Sequence, residues 1–335
     1  MASLLADLMS GLDLSGQDAR HLAEVLLAGE VSDVQAAGVL VALQIKGATG
    51  SELAGMAAAL RERALSLSHD FPDLVDTCGT GGGRTTWNLS TASALVAAGA
   101  GARVAKHGNR SVTSHCGSAD VLEHLGVNLH ADPEQLAKTL RDVGIVFLFA
   151  PAHHSAMKNL AGVRKSLGVR TVFNQLGPLA NPAGASRQLI GVYDRTLLRP
   201  MAEALVLLGA VRAFVVHGED GLDEVSPCTP TSYCEVADGR IREGVFSVTD
   251  FMPGAASQDA LSPGSTVAEN AEILVEALTD RSGPRSEAVV PNAAVTLLVS
   301  GVVSDLALGA RAARDAIESG AARRTLDRLI EASVS

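Results

Sequence analysis

The hydrophobic rhythm of the chain changes twice. Over the first 65 residues apolar positions recur at three-and-four spacing, as in Leu22-Val25-Leu26 and Leu53-Met56-Leu60, which marks one face of a helix in each run. Each run follows a hydroxyl residue with Asp, Gln or Glu three positions on: Ser15 with Asp18, Ser32 with Gln35, Thr49 with Glu52. In that arrangement side chains satisfy the first free N–H groups of a helix. Gly29 and Gly47 stand where two such helices should stop. The spacing predicts a unit of about four helices and no strand.

From Leu74 short β-prone runs take over: Leu74-Val75, Arg103-Val104-Ala105, then 145–149, 189–192 and 213–216. Helical stretches separate them, one at about 91–99. Such alternation predicts a mostly parallel central sheet covered by helices, with ligands gathering where loops leave the carboxyl ends of the strands. Residues 150–187 are polar, with clustered Gly, Pro and Asn and no convincing strand, and the last 70 residues return to helix around 268–278, 287–299 and 304–319. The expected class is α/β: a small all-helical N-terminal domain (residues 1–70, with part of about 155–187 packing onto it) and a larger α/β domain (71–335) with a mostly parallel central sheet. The polar stretch would form the second wall of a cleft.

Composition narrows the chemistry. Aromatics are only 3% of the 335 residues while 47% are hydrophobic, so Ala, Val and Leu must build the core. The net charge of −10 excludes the broad cationic footprint of a nucleic-acid binder, and any anion site must be a local exception. No apolar run reaches the 18 or so residues that cross a bilayer. The opening MASLLADLMSGLDL lacks a basic leader, and four cysteines without a CxxC pair read as reduced thiols, so a cytoplasmic protein is expected.

Five segments carry candidate chemistry. Asp76-Thr77-Cys78-Gly79-Thr80-Gly81-Gly82-Gly83 lies between a strand and a helix, where backbone N–H groups can cradle a phosphate. It is neither a GxGxxG nor a GxxxxGK[ST] pattern. Asn88-Leu89-Ser90-Thr91 can cap that helix or bind oxygen ligands and a hard cation. Lys106-His107-Gly108-Asn109-Arg110-Ser111-Val112-Thr113-Ser114, with Ser118 beyond, concentrates positive charge among hydroxyl and amide donors, as a polyanionic substrate requires. His153-His154 cannot share a helix face, and no HExxH surrounds them, so zinc is not expected there; Arg164 could clamp a small carboxylate. Asp223 and Glu224, in a glycine-interrupted loop after a strand, can converge on Mg²⁺.

In this order the five segments resemble the anthranilate phosphoribosyltransferases of tryptophan biosynthesis, and the resemblance runs from the N-terminal helices to the end of the chain. Its most specific stretches are GTGG, NLSTAS, KHGNRSVTSHCGSADVLEHLG, HHSAMKNLAGVRKSLGVRTVFNQLGPLANPA and HGEDGLDEVS. The resemblance implies transfer of phosphoribose from 5-phosphoribosyl 1-diphosphate to anthranilate, with Mg²⁺ (two ions with the diphosphate), in a homodimer formed through the helical part. It implies that Gly79, Gly82, Gly83, Thr86, residues 88–91, residues 106–114 and Ser118 bind the sugar diphosphate. Ser90, Asp223 and Glu224 would hold metal. Gly79, Asn109 and Arg164 would meet anthranilate, with His107, His154 and Pro178 lining its path. The family's loop usually reads GTGGD, whereas position 83 here is Gly and the stretch to Asn88 is one residue shorter; metal occupancy near the loop is expected to differ. A pyrimidine-nucleoside phosphorylase and a non-catalytic nucleic-acid-binding relative are the alternatives; the FNQLGPLANPA and KHGNR stretches disfavour the first and the acidic balance the second.

Overall fold

The computed structural model describes residues 1–111 and 116–334. Helices α1 (Ala2–Met9), α2 (Gly16–Ala28), α3 (Asp33–Lys46) and α4 (Gly50–Glu62) open the chain. Their caps are those the spacing predicts. The Ser15 hydroxyl accepts the Asp18 N–H at 3.1 Å, and Ser32 with Gln35 and Thr49 with Glu52 form reciprocal capping boxes. Glu52 is fully buried yet saturated: it accepts from the N–H groups of Leu14 at 2.9 Å and Thr49 at 2.8 Å and from Lys46 Nζ at 2.8 Å. A buried carboxylate is tolerable only on such terms.

The seven strands are β1 (Val75–Gly79), β2 (Val104–Gly108), β3 (Ile145–Phe149), β4 (Arg187–Gly191), β5 (Arg212–Gly218), β6 (Thr231–Ala237) and β7 (Arg240–Phe246). They lie in the order β3-β2-β1-β4-β5-β6-β7. The first five are parallel, as expected; β6 and β7 add an antiparallel edge that the alternation pattern did not reveal. Asp238 and Gly239, with φ of 52° and 70°, make the two-residue turn between them. The chain runs outward from β1 through β2 to β3, then crosses to β4 on the other side. Loops leaving the carboxyl ends of β1 and β4 therefore diverge and open a crevice.

The crossover helices are α5 (Leu89–Gly99), α6 (Ser118–His124), α7 (Pro133–Val143), α8 (Ala150–His153), α9 (Lys158–Leu167), α10 (Phe173–Leu176) and α11 (Leu198–Leu207). The C-terminal layer is α12 (Val267–Thr279), α13 (Pro284–Ser300), α14 (Leu306–Glu318) and a fourth helix not anticipated from the sequence, α15 (Ala321–Val334). One sheet face packs Val75, Val104, Phe147, Leu189 and Phe214 against α5 and this layer. The other packs Ile190, Val192 and Val215 against α11, and the same apolar cluster continues into α2, α3, α4, α9 and α10. Residues 158–176 thus sit on the helical bundle, and Asn159 Nδ2 donates to the Leu27 carbonyl at 2.7 Å. Among the described residues no helix is long and apolar enough to cross a membrane.

Candidate active site

The loop after β1 is fixed from several sides. The Thr80 N–H donates to the Gly191 carbonyl at the end of β4 and the Arg84 N–H to the Gly221 carbonyl, each at 2.9 Å. Asp223 Oδ2 accepts the Gly81 N–H at 2.8 Å. A Cβ at Gly79 would run into that carboxylate, and one at Gly83 would lie 2.7 Å from the Gly221 carbonyl and 2.9 Å from Asp223 Oδ1. The loop lies so close to the acidic turn that no side chain fits between them. Asn88 then takes a left-handed conformation (φ 71°) to turn the chain into α5, and its side chain does not cap the helix. Glu224 caps it from a distance: Oε1 accepts the Ser90 N–H at 2.9 Å, while Oε2 lies 3.4 Å from the Thr86 hydroxyl.

Asp223 and Glu224 are held in place from behind. Asn292, buried in α13, accepts the Val225 N–H and donates to the Val225 carbonyl, each at 2.8 Å. Burial first, then the neighbouring Asp223, push the Glu224 carboxyl up to about 8; burial also raises Asp223. Burial and mutual repulsion disfavour the charged forms of these two carboxylates, a penalty that a bound cation would offset. A hard divalent cation suits that all-oxygen donor set. No three His, Cys, Asp or Glu side chains among the described residues form a metal cage, so such an ion would draw further oxygens from water and a substrate phosphate.

Lys106, near the end of β2, is the cation aimed into the crevice. Its Nζ donates to the Thr77 carbonyl at 2.7 Å and to Ser90 Oγ at 3.3 Å. Burial lowers its pKa, opposed by Asp76, whose own carboxyl burial raises. Asp76 in turn accepts the His107 N–H at 3.1 Å, fixing β2 against β1. His107 Nδ1 donates to the Gly177 carbonyl at 3.2 Å, and the His154 ring lies 5.2 Å away. Desolvation holds both rings neutral, at about 3 for His107 and about 4 for His154. The Pro178 carbonyl accepts from Gln188 Nε2 at 2.7 Å, which ties this wall to β4.

The matches to known proteins agree with this geometry. The model of a glycosyl transferase family, a/b domain, matches residues 71–323, and that of the family's helical bundle domain matches residues 2–64. An anthranilate phosphoribosyltransferase of Desulfatibacillum aliphaticivorans is 45% identical over 335 residues, covering 98% of either chain. The chain belongs to the anthranilate phosphoribosyltransferase family. The family's enzyme from Thermus thermophilus superposes with a TM-score of 0.92 at 42% identity, covering 99% of both chains. The Saccharomyces cerevisiae enzyme, solved in complex with PRPP and Mg, gives 0.89 at 28% identity, covering 99% of this chain and 97% of that one.

Of the residues that the family resemblance implies, direct contacts join Gly79, Gly83, Thr86, Ser90, Lys106, Asp223 and Glu224, and His107 with His154 and Pro178 continues from Lys106 along the neighbouring wall. Gly82 meets Arg170, Asn88 Nδ2 donates to the Cys116 carbonyl, and Leu89 and Thr91 are buried in α5. Gly108 packs against Ser118, whose Oγ donates to the Asn109 carbonyl at 3.3 Å. Asp120 Oδ2 accepts the Ser111 N–H at 3.1 Å. Arg110 lies apart from this group, on Asp120 at 2.9 Å and Glu123 at 2.7 Å. Arg164, on α9, rests 5.9 Å from the Phe173 ring. Val112, Thr113 and Ser114 lie outside the described residues. Sequence reasoning gave no role to Arg170, Tyr193 or Asn292, and it placed Asp76 in the glycine segment without foreseeing its bond to β2. Their hydrogen-bond partners on other elements lie 31 to 113 residues away, and only the fold pairs them.

Proposed function

We propose that the crevice between β1, β2 and β4 is where this chain transfers the 5-phosphoribosyl group from 5-phosphoribosyl 1-diphosphate to the amine of anthranilate, giving N-(5-phosphoribosyl)anthranilate and pyrophosphate in tryptophan biosynthesis. The observation that carries this siting is the meeting of the glycine loop, Lys106 and the Asp223–Glu224 pair at the topological switch point of the sheet. The N–H groups of the loop and the Lys106 ammonium receive the phosphates, together with the 106–111 turn and Ser118. Arg164, whose side chain makes no hydrogen bond or ion pair among the described residues and whose pKa burial lowers, takes the anthranilate carboxylate with Asn109. His107, His154 and Pro178 wall the aromatic ring; as neutral imidazoles the two histidines leave the carboxylate to the arginine.

The aromatic amine is uncharged at neutral pH, so attack needs no strong base. Its lone pair forms the bond to ribose C1 as the bond from C1 to the diphosphate oxygen breaks; pyrophosphate leaves with the electron pair and the nitrogen loses one proton. Ser90, Asp223 and Glu224 would hold magnesium, two ions arriving with the diphosphate, and the metal would neutralise charge on the leaving group. The chain's own contribution is positioning and preorganised donors.

Residues 1–70 with part of the 155–187 segment form one wall and the rest of 71–335 the other, so closure of the cleft excludes water. Val34 and Ile45, both 82% exposed on α3, and Met9, 76% exposed at the end of α1, form the face through which two copies pair. The four cysteines are free thiols, in keeping with a cytoplasmic setting.

Loss of anthranilate fluorescence on adding the sugar diphosphate and Mg²⁺, with the product identified by mass, tests the reaction. In that assay Arg164→Ala should raise the KM for anthranilate by roughly 30- to 100-fold, as expected for a lost charged clamp, while the KM for the sugar diphosphate moves less than about threefold. Equal effects on both would overturn the role of Arg164.

A further inference from the structure

We infer that Arg170 is the positioning residue of the glycine loop: it pins the carbonyl edge of Thr80-Gly81 so that the N–H edge faces the crevice, and thereby sets affinity for the diphosphate. The inference rests on the reading of the crevice given above.

Arg170 lies between α9 and α10, on the segment that packs against the helical bundle, and its guanidinium meets the carbonyl side of the loop. Its Nη2 donates to the Thr80 carbonyl at 2.9 Å and also to the Gly81 carbonyl. In a trans peptide the carbonyl and the next N–H point opposite ways. With the carbonyls of Thr80 and Gly81 turned to Arg170, the N–H groups of Gly81 and Gly82 must face the other side. The first of these meets Asp223 Oδ2 there at 2.8 Å. The guanidinium therefore stands behind the cradle, on the side opposite its donors, and acts through the loop and not as a ligand.

Two further contacts fix the arginine itself. Its guanidinium carbon lies 3.9 Å from the centroid of the Tyr193 ring, and the Tyr193 N–H donates to Thr80 Oγ1 at 3.2 Å. The aromatic platform is thus tied to the same loop residue that the arginine holds. Gly82, with φ of +84°, leaves the space that Arg170 Nη1 fills; a Cβ there would coincide with that nitrogen. Arg170 and Gly82 are two halves of one contact, although neither gives any sign of the other in the sequence.

The test uses the full-length enzyme. Steady-state kinetics with both substrates are combined with calorimetric titration of 5-phosphoribosyl 1-diphosphate in Mg²⁺ for wild type, Arg170→Ala, Arg170→Lys, Gly82→Ala and the Gly82→Ala/Arg170→Ala double variant. Arg170→Ala should weaken diphosphate binding and raise its KM about 10- to 100-fold, as for loss of charged hydrogen bonds, with the KM for anthranilate within about twofold of wild type. Arg170→Lys should fall between, since an ammonium keeps the charge but not the fork or the stacking. Gly82→Ala should reproduce the Arg170→Ala effect, and the double variant should be no worse than the weaker single one within about twofold, because both break one contact. Additive losses, parallel rises in both KM values, or diphosphate affinity unchanged in Arg170→Ala would overturn the role. If Arg170→Ala does not fold, Arg170→Lys and Gly82→Ala decide on the same criteria. Failure of wild type to bind the sugar diphosphate would instead bring down the reading of the crevice, and this role with it.

Discussion

Burial and the neighbouring Asp223 push the Glu224 carboxyl up to about 8, so it is largely protonated at pH 7 when no cation is near. A cation needs the carboxylate, so magnesium uptake must expel a proton below pH 8 and none well above it. The sign follows directly: affinity for Mg²⁺ rises with pH, by up to about tenfold per unit between pH 6 and 7.5, and flattens beyond 8. Calorimetry with the metal alone, in buffers of different ionisation enthalpy, measures both the affinity and the released proton. Glu224→Gln should remove the pH dependence, and a flat profile in wild type would contradict the assignment. In the same titration at pH 8.5, Gly83→Asp should change the affinity for Mg²⁺, because a Cβ at this position would lie 2.9 Å from Asp223 Oδ1 and 2.7 Å from the Gly221 carbonyl, so the loop must move away from the acidic turn. Identical curves would mean that position 83 does not face the metal. Residues such as these were legible in the sequence because glycines, hydroxyls and paired acids bunch within short stretches. Arg170 and Asn292 were not, since an arginine after a glycine or an asparagine inside an apolar helix says nothing about which distant backbone it will hold.

At the scale of elements, capping and packing decide where the site sits. Helix α5 is capped by Glu224 from another loop, which ties the start of α5 to the loop after β5. In the helical unit α2 and α4 cross so closely that a Cβ at Gly55 would run into the Gly16 carbonyl. Gly55→Ala should therefore cost about 1–3 kcal/mol of stability, despite the gain in helix propensity. Thermal unfolding followed by circular dichroism checks this; an unchanged or raised Tm would show that the crossing is looser than described. The N-terminal helices and the five parallel strands were legible because their capping pairs and apolar runs are local. The β6–β7 hairpin stands outside the strand–helix alternation although its turn, Asp238-Gly239, is a strong local signal, because no helix separates its two strands. Helix α15 was missed because arginines crowd its polar face, masking an apolar stripe at Leu326 and Leu329.

For the whole molecule, the net charge of −10 makes the crevice an island of donors in an acidic field. The diphosphate is therefore expected to bind with its cation, as a complex of reduced charge. Ile45→Glu should convert a dimer in sedimentation equilibrium to a monomer, and a variant that stays dimeric would move the interface elsewhere. One measurement bears most directly on the crevice: the crystal structure with 5-phosphoribosyl 1-diphosphate and Mg²⁺ bound. The expected result is a diphosphate against the N–H groups of Gly82 and Gly83, with a metal at Asp223 and Glu224. A diphosphate seated away from the glycine turn, with those carboxylates free of metal, would contradict it.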